Sequence, residues 1–127
     1  MTIEKLANLI KIKTKTSLVT LSNKGAKIGE LEILTPGEYE KDGVFMEFRS
    51  VNLLWLFADK LHLAWVGGGE IKPKYLEDLG GVDILLVEDD SLVREIEPKL
   101  AIITSKLKEK LTIKDSDLPM DGTKILP

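Results

Sequence analysis

A chain of 127 residues with 43% hydrophobic and 31% charged side chains can fill one core and still cover its surface with charge, which fits a single domain over residues 1–127. The absence of cysteine excludes disulfides, thiolate zinc sites and a cysteine nucleophile together. A net charge of only −3 argues against a dedicated nucleic-acid binder, and abundant Leu, Ile and Val argue against disorder.

Met1 to Leu6 carries no long apolar run after a basic residue, so no signal peptide is expected. Leu9 to Lys15 alternates apolar and polar residues and predicts a half-buried strand; Ser17 to Leu21 alternates again, and the two suggest a hairpin. Lys11, Lys13 and Lys15 share one face of the first strand. They read as a solvated face that discourages edge-to-edge pairing, with phosphate or nucleic-acid contact as the alternative. Lys106, Lys108 and Lys110 form a second basic cluster. Asn23 to Gly25 is a turn, Gly29 to Leu34 a short strand, and Thr35 to Gly37 another turn. Val44 to Arg49 is rich in strand formers. Asn52 to Phe57 and Leu61 to Val66 flank Ala58-Asp59-Lys60 and predict a buried hairpin. The apolar stretch Leu53 to Ala58 is far shorter than the roughly 20 residues of a membrane helix, so a cytoplasmic location is expected.

Pro73 to Leu79 predicts a short helix with proline in its first turn and Gly80-Gly81 as its stop. Val82 to Val87, interrupted only by Asp83, reads as an interior strand. Ser91 to Glu97 predicts a second helix with Ser91 as N-cap and Pro98 behind it. Leu100 to Ile103 and Lys124 to Leu126 are the last strands. The order predicts an α+β fold, rich in β, with two short helices.

Residues able to carry chemistry are few. The one histidine, His62, shares a strand face with Ala64 and lies opposite Leu61, Leu63 and Trp65. It reads as an outward or hydrogen-bonded strand residue, since one imidazole without thiols cannot build an ordinary zinc site. Gly67-Gly68-Gly69 lacks the Lys-Ser/Thr of a phosphate loop and reads as a turn needing unusual backbone angles. Glu88-Asp89-Asp90 follows an interior strand, where α/β folds often place chemistry. Adjacent acids on an extended chain point different ways, so the simpler reading is a solvated turn before a helix; the alternative is a hard-cation site. Ser91 and Ser105 would have only His62 as a base. Trp55 and Phe57 share one strand face and read as core, or as an interface if that face is exposed.

Pro36-Gly37-Glu38-Tyr39-Glu40 followed by Gly43-Val44-Phe45-Met46 resembles a segment of small metallo-β-lactamase-fold hydrolases, in the branch that includes L-ascorbate-6-phosphate lactonase. The strands Leu53 to Phe57 and Leu61 to Val66, Gly81-Val82-Asp83 with its apolar strand, and Ile96-Glu97-Pro98-Lys99 follow in a similar order, so the resemblance runs from about Leu9 to Ile103. It implies a truncated sandwich of that family. The ligand positions that it implies are absent. Leu21 to Thr35 contains no histidine or aspartate, the loop after Val66 offers glycines where the bridging aspartate belongs, and Ser105 stands where the last histidine would. A two-metal site needs several imidazoles and carboxylates. The resemblance therefore implies a non-catalytic binding or interaction module with no catalytic, cofactor-binding or metal residues and no cofactor. A missing layer would leave an apolar sheet face wet, so either the surviving strands close over the core by themselves or that face pairs, which favours a homodimer or another protein partner, with no membrane contact and nucleic acid disfavoured. The alternatives are a hydrolase or ion-binding protein with a relocated site at Glu88, Asp89, Asp90 and His62, with Glu70 assisting, and a scaffold subunit holding a full-length relative.

Overall fold

The computed structural model describes residues 1–50, 53–67 and 81–126. Alternating apolar residues in short strands build two sheets that face each other. Strands β1 (Thr2–Leu6), β2 (Leu9–Lys13), β3 (Leu18–Ser22), β4 (Gly25–Ile28) and β5 (Leu31–Ile33) form an antiparallel meander. The chain then crosses to the second sheet, where β6 (Gly37–Lys41), β7 (Val44–Ser50), β8 (Leu53–Ala58) and β9 (Leu61–Val66) form another meander. Next come β10 (Ile84–Val87), the helix α1 (Val93–Ile96) and β11 (Leu100–Ile103). The two-residue strand β12 (Leu111–Thr112) returns to the first sheet beside β1, and β13 (Lys124–Leu126) pairs parallel with β11. The sheet orders are β12-β1-β2-β3-β4-β5 and β13-β11-β10-β9-β8-β7-β6.

The expectation of an α+β fold with two helices is overturned. The described residues are almost entirely β, with one four-residue helix and two short 3-10 turns, Thr104–Lys106 and Asp115–Asp117. The segment from Ser91 to Glu97 shortens to Val93–Ile96. Leu92 holds the N-cap position without a side-chain cap bond, and Glu97 ends the helix in a left-handed conformation. Ser91 instead donates its backbone N–H to Asp89 Oδ1 at 2.9 Å, so a local turn takes the residues that a cap would have used. The other helix expected, Pro73 to Leu79, lies outside the described residues.

The main core lies between the sheets. Ile10, Ile12, Val19, Leu21, Ile28 and Ile33 enter it from one side and Val44, Met46, Phe48, Leu54, Leu56 and Leu63 from the other. Strands β10 and β11 are buried on both faces, as the parallel part of a sheet usually is. Their outward residues Leu85, Ala101 and Ile103 join Ala64, Val66, Val93 and Ile96 in a second apolar cluster beyond the sheet.

The two outer faces differ. On the first sheet Glu4, Lys11, Thr20, Lys27 and Glu32 stand in register across five strands, a row of polar and alternately charged partners. Lys27 pairs with Glu32 at 3.7 Å and Lys110 with Glu4 at 3.6 Å. Such a face is at home in water and needs no covering layer. The wet apolar face expected from a truncated sandwich is therefore not on this sheet. The second sheet does expose apolar surface on its outer side, where Phe45, Phe57 and His62 are direct cross-strand neighbours. Phe45 is 41% and Phe57 42% exposed, and the Phe57 and His62 rings lie 4.5 Å apart.

Candidate functional site

Strands β9, β10 and β11 run parallel and end together at one margin of the sandwich, in register Val66–Val87–Ile103. In parallel sheets ligands collect beyond such carboxyl ends. Here the ends face two turns of the first sheet, the β1–β2 turn and the β3–β4 turn. Between them lies a cavity of about 240 Å³ lined by Lys5, Asn8, Ser22 and Asn23 from the first sheet and by Trp65, Gly67, Glu88 and Thr104 from the second.

Trp65 gives the cavity an aromatic wall. Its ring points inward from β9, and its Nε1–H is buried without a hydrogen-bond partner. An indole nitrogen only donates, and a buried donor left unpaired costs about 1–3 kcal/mol. Gly67 keeps the ring in place by what it lacks: a Cβ there would lie 2.9 Å from Trp65 Cζ2. Its backbone angles are ordinary, so close approach and not an unusual conformation explains this glycine. Gly68 and Gly69 lie outside the described residues.

The strand ends are tied to one another by hydroxyls. Thr104 Oγ1 donates to Val87 O at 3.1 Å, and Ser105 Oγ donates to Glu88 O at 2.7 Å. Ser105 thus serves as a clasp between β10 and β11 where a metal ligand would stand by the family resemblance. Glu88 contributes its carboxylate to the cavity wall. Asp89 and Asp90 do not line it; they belong to an exposed turn into α1, in which Asp90 O accepts from Val93 N at 3.2 Å. The hydrogen bonds from the Ser91 side chain and then its backbone hold the Asp89 carboxyl below its ordinary value. By sign, this stabilises the fold above the usual carboxylate range and is lost as pH falls through it.

His62 is far from that end. It sits at the start of β9, level with Asp83, whose Oδ2 accepts from His62 N at 2.8 Å and whose N–H donates to His62 O at 2.9 Å. Glu88 stands five residues further along the parallel pair, about 16 Å away at a strand rise of about 3.3 Å. The structure therefore does not bring His62 together with Glu88, Asp89 and Asp90, and Glu70 lies outside the described residues. Asp83, from the Gly81-Val82-Asp83 motif, has a positioning part: it fixes the edge of β9 against β10 and takes Lys99 Nζ at 3.7 Å.

Among the described residues, no group of three or more histidine, aspartate or glutamate side chains converges as metal ligands. Around the cavity the donors are hydroxyls, amides, one ammonium, one indole and one carboxylate. That set does not fit a pair of zinc ions, which takes imidazoles and carboxylates at about 2.0–2.2 Å. Sequence reasoning missed Lys5, Asn8, Asn23 and Trp65. Only the break in an apolar run at Trp65-Val66-Gly67 hinted that the tryptophan stands at a strand end.

The fold is similar to that of a protein from Thermotoga maritima provisionally designated a Zn-dependent hydrolase of the metallo-β-lactamase superfamily, with a TM-score of 0.61 and 15% identity over 80% of this chain and 74% of that one. This is a likeness of fold. No protein-family model and no curated protein matches the sequence. No helix among the described residues is long and apolar enough to cross a membrane.

Proposed function

We propose that this chain is a non-catalytic binding module on a metallo-β-lactamase-like sandwich, and that its ligand is a small molecule held in the cavity at the ends of β9, β10 and β11. The observation that carries the reading is a cavity at the strand ends walled by Trp65 and by polar side chains from both sheets, whose described walls lack a metal-ligating set. The order of motifs from Pro36 to Lys99 supports descent from the branch that includes the ascorbate-phosphate lactonases.

A metal titration tests the non-catalytic reading. Zn²⁺ added in excess is expected to leave the melting temperature unchanged, with elemental analysis giving no stoichiometric metal in purified protein. A site filled at a hundred times its Kd would add about 2.7 kcal/mol. In a chain of this size that is a rise on the order of 10 °C. Such a rise, or one zinc per chain, would overturn the proposal.

The aromatic stripe Phe45–Phe57–His62 supports a second reading, that the module also self-associates through the outer face of the second sheet. Beside it Arg49 lies over the Trp55 ring at 5.4 Å, which adds a cation–π contact to the same surface. Light scattering is expected to give twice the chain mass for the native protein and the single mass for Phe57→Glu. A native mass of one chain at all concentrations sinks this reading and leaves the first intact.

A further inference from the structure

We propose that the cavity takes a small zwitterion, a molecule carrying a carboxylate a few bonds from a protonated amine; the inference rests on the reading of this cavity as a ligand site. The walls carry two unlike charges on different sheets. Lys5 comes from β1, and Glu88 follows β10. Among the described residues neither has an ion-pair partner, although five other pairs form within 4 Å. The two groups line one cavity without closing on each other, so a ligand can lie between them.

The identity of each end follows from the donor inventory. The Lys5 ammonium can only donate, so the group that meets it must be an acceptor. An oxyanion accepts with charge complementarity, and charge-assisted bonds of this kind are the stronger ones. Glu88 only accepts when ionised, so the group that meets it must donate, and a protonated amine does so with charge complementarity. A simple anion would face Glu88 with like charge, a simple cation would face Lys5, and a neutral molecule would gain charge complementarity from neither. The Asn8 and Asn23 amides, which donate and accept, suit either end.

Size narrows the class further. The cavity of about 240 Å³ holds the liquid volume of only some eight waters at about 30 Å³ each. It falls below the roughly 300 Å³ at which pockets for drug-sized ligands begin. A free amino acid with a small side chain fits this volume.

The experiment follows the indole ¹⁵N–¹H resonance of Trp65, assigned by its loss in Trp65→Phe, with Trp55 as the internal reference. The probes are L-alanine, acetate, ethylamine and acetamide. L-alanine is expected to shift the Trp65 signal saturably, with a Kd at least tenfold below those of acetate and ethylamine. Glu88→Gln and Lys5→Gln, each at an exposed position, are expected to weaken L-alanine at least fivefold while the remaining spectrum stays native. Acetate binding as tightly as L-alanine, or indifference to Glu88→Gln, would overturn the zwitterion in favour of a plain oxyanion subsite. Saturable binding of acetamide with L-alanine silent would remove the zwitterion but leave the cavity as a ligand site. No movement of Trp65 with any of the four probes would remove the inference and count equally against the cavity reading.

Discussion

Phe48→Ala is expected to lower the stability of the fold by about 3–5 kcal/mol, the range for truncating a buried aromatic ring. Phe48 is 1% exposed, among the largest fully buried side chains, and it stands on β7 opposite Gly37 and Leu54. Single domains are stable by about 5–15 kcal/mol in total, so the loss would be a large share of the whole. Denaturant melts check it: the midpoint should fall with the m-value unchanged. Thr20→Ala, on the polar outer face of the first sheet, should change stability by no more than about 0.5 kcal/mol. Equal effects at the two positions would contradict the assignment of one face to the core and the other to water.

Gly25→Ala is expected to cost roughly 2–4 kcal/mol, well beyond the usual effect of losing a glycine, because two separate constraints forbid a side chain there. The residue opens β4 with φ +149°, a conformation that other residues rarely adopt. A Cβ at this position would also lie 2.5 Å from Ile33 O and 2.8 Å from Leu34 Cδ2. The first contact is with backbone in the next strand, so relief would require β4 and β5 to separate. Gly81→Ala is the comparison: it shares a positive φ of 82° but meets nothing within 4 Å, and it should cost only the roughly 1–2 kcal/mol of a left-handed backbone. Thermal melts of the two variants separate crowding from conformational strain. A Gly25→Ala loss no larger than that of Gly81→Ala would show that β5 yields without cost.

The alternating strands and the hairpin of two apolar runs were legible. Leu9 to Lys13, Leu18 to Leu21 and the hairpin of β8 and β9 emerge where the pattern placed them, and His62 and Ala64 do share the face opposite Leu61, Leu63 and Trp65. Thr2 to Leu6 was not read as a strand, because it buries only Ile3 fully and its remaining residues face water or the sheet margin. Gly37 to Lys41 was read only as a motif: it is an edge strand whose glutamates are exposed, so its composition looks like a loop. The helix expected over Ser91 to Glu97 shortened for a different reason. Val93 and Ile96 supply the apolar pair of a helical turn, but an Asp89–Ser91 turn on one side and Pro98 on the other leave room for only one turn. The cavity was out of reach in principle. Lys5, Asn23, Trp65 and Glu88 each sit in an unremarkable local context, and only the packing of two sheets makes them neighbours.

The meander of the first sheet joins each strand to the one before it, from β1 through β5, whereas β12 pairs with β1 across 110 residues, as Thr2 and Thr112 mark. Loop closure makes the hairpins quick to form and the distant pairing slow. The parallel pairs β9–β10 and β10–β11 lie between these extremes. Assembly is thus ordered by distance along the chain: local ribbons first, parallel strands next, and β12 closing over the edge of β1 at the end. The cavity at the ends of β9, β10 and β11 belongs to the middle stage, so it takes shape only once both ribbons are present to wall it in.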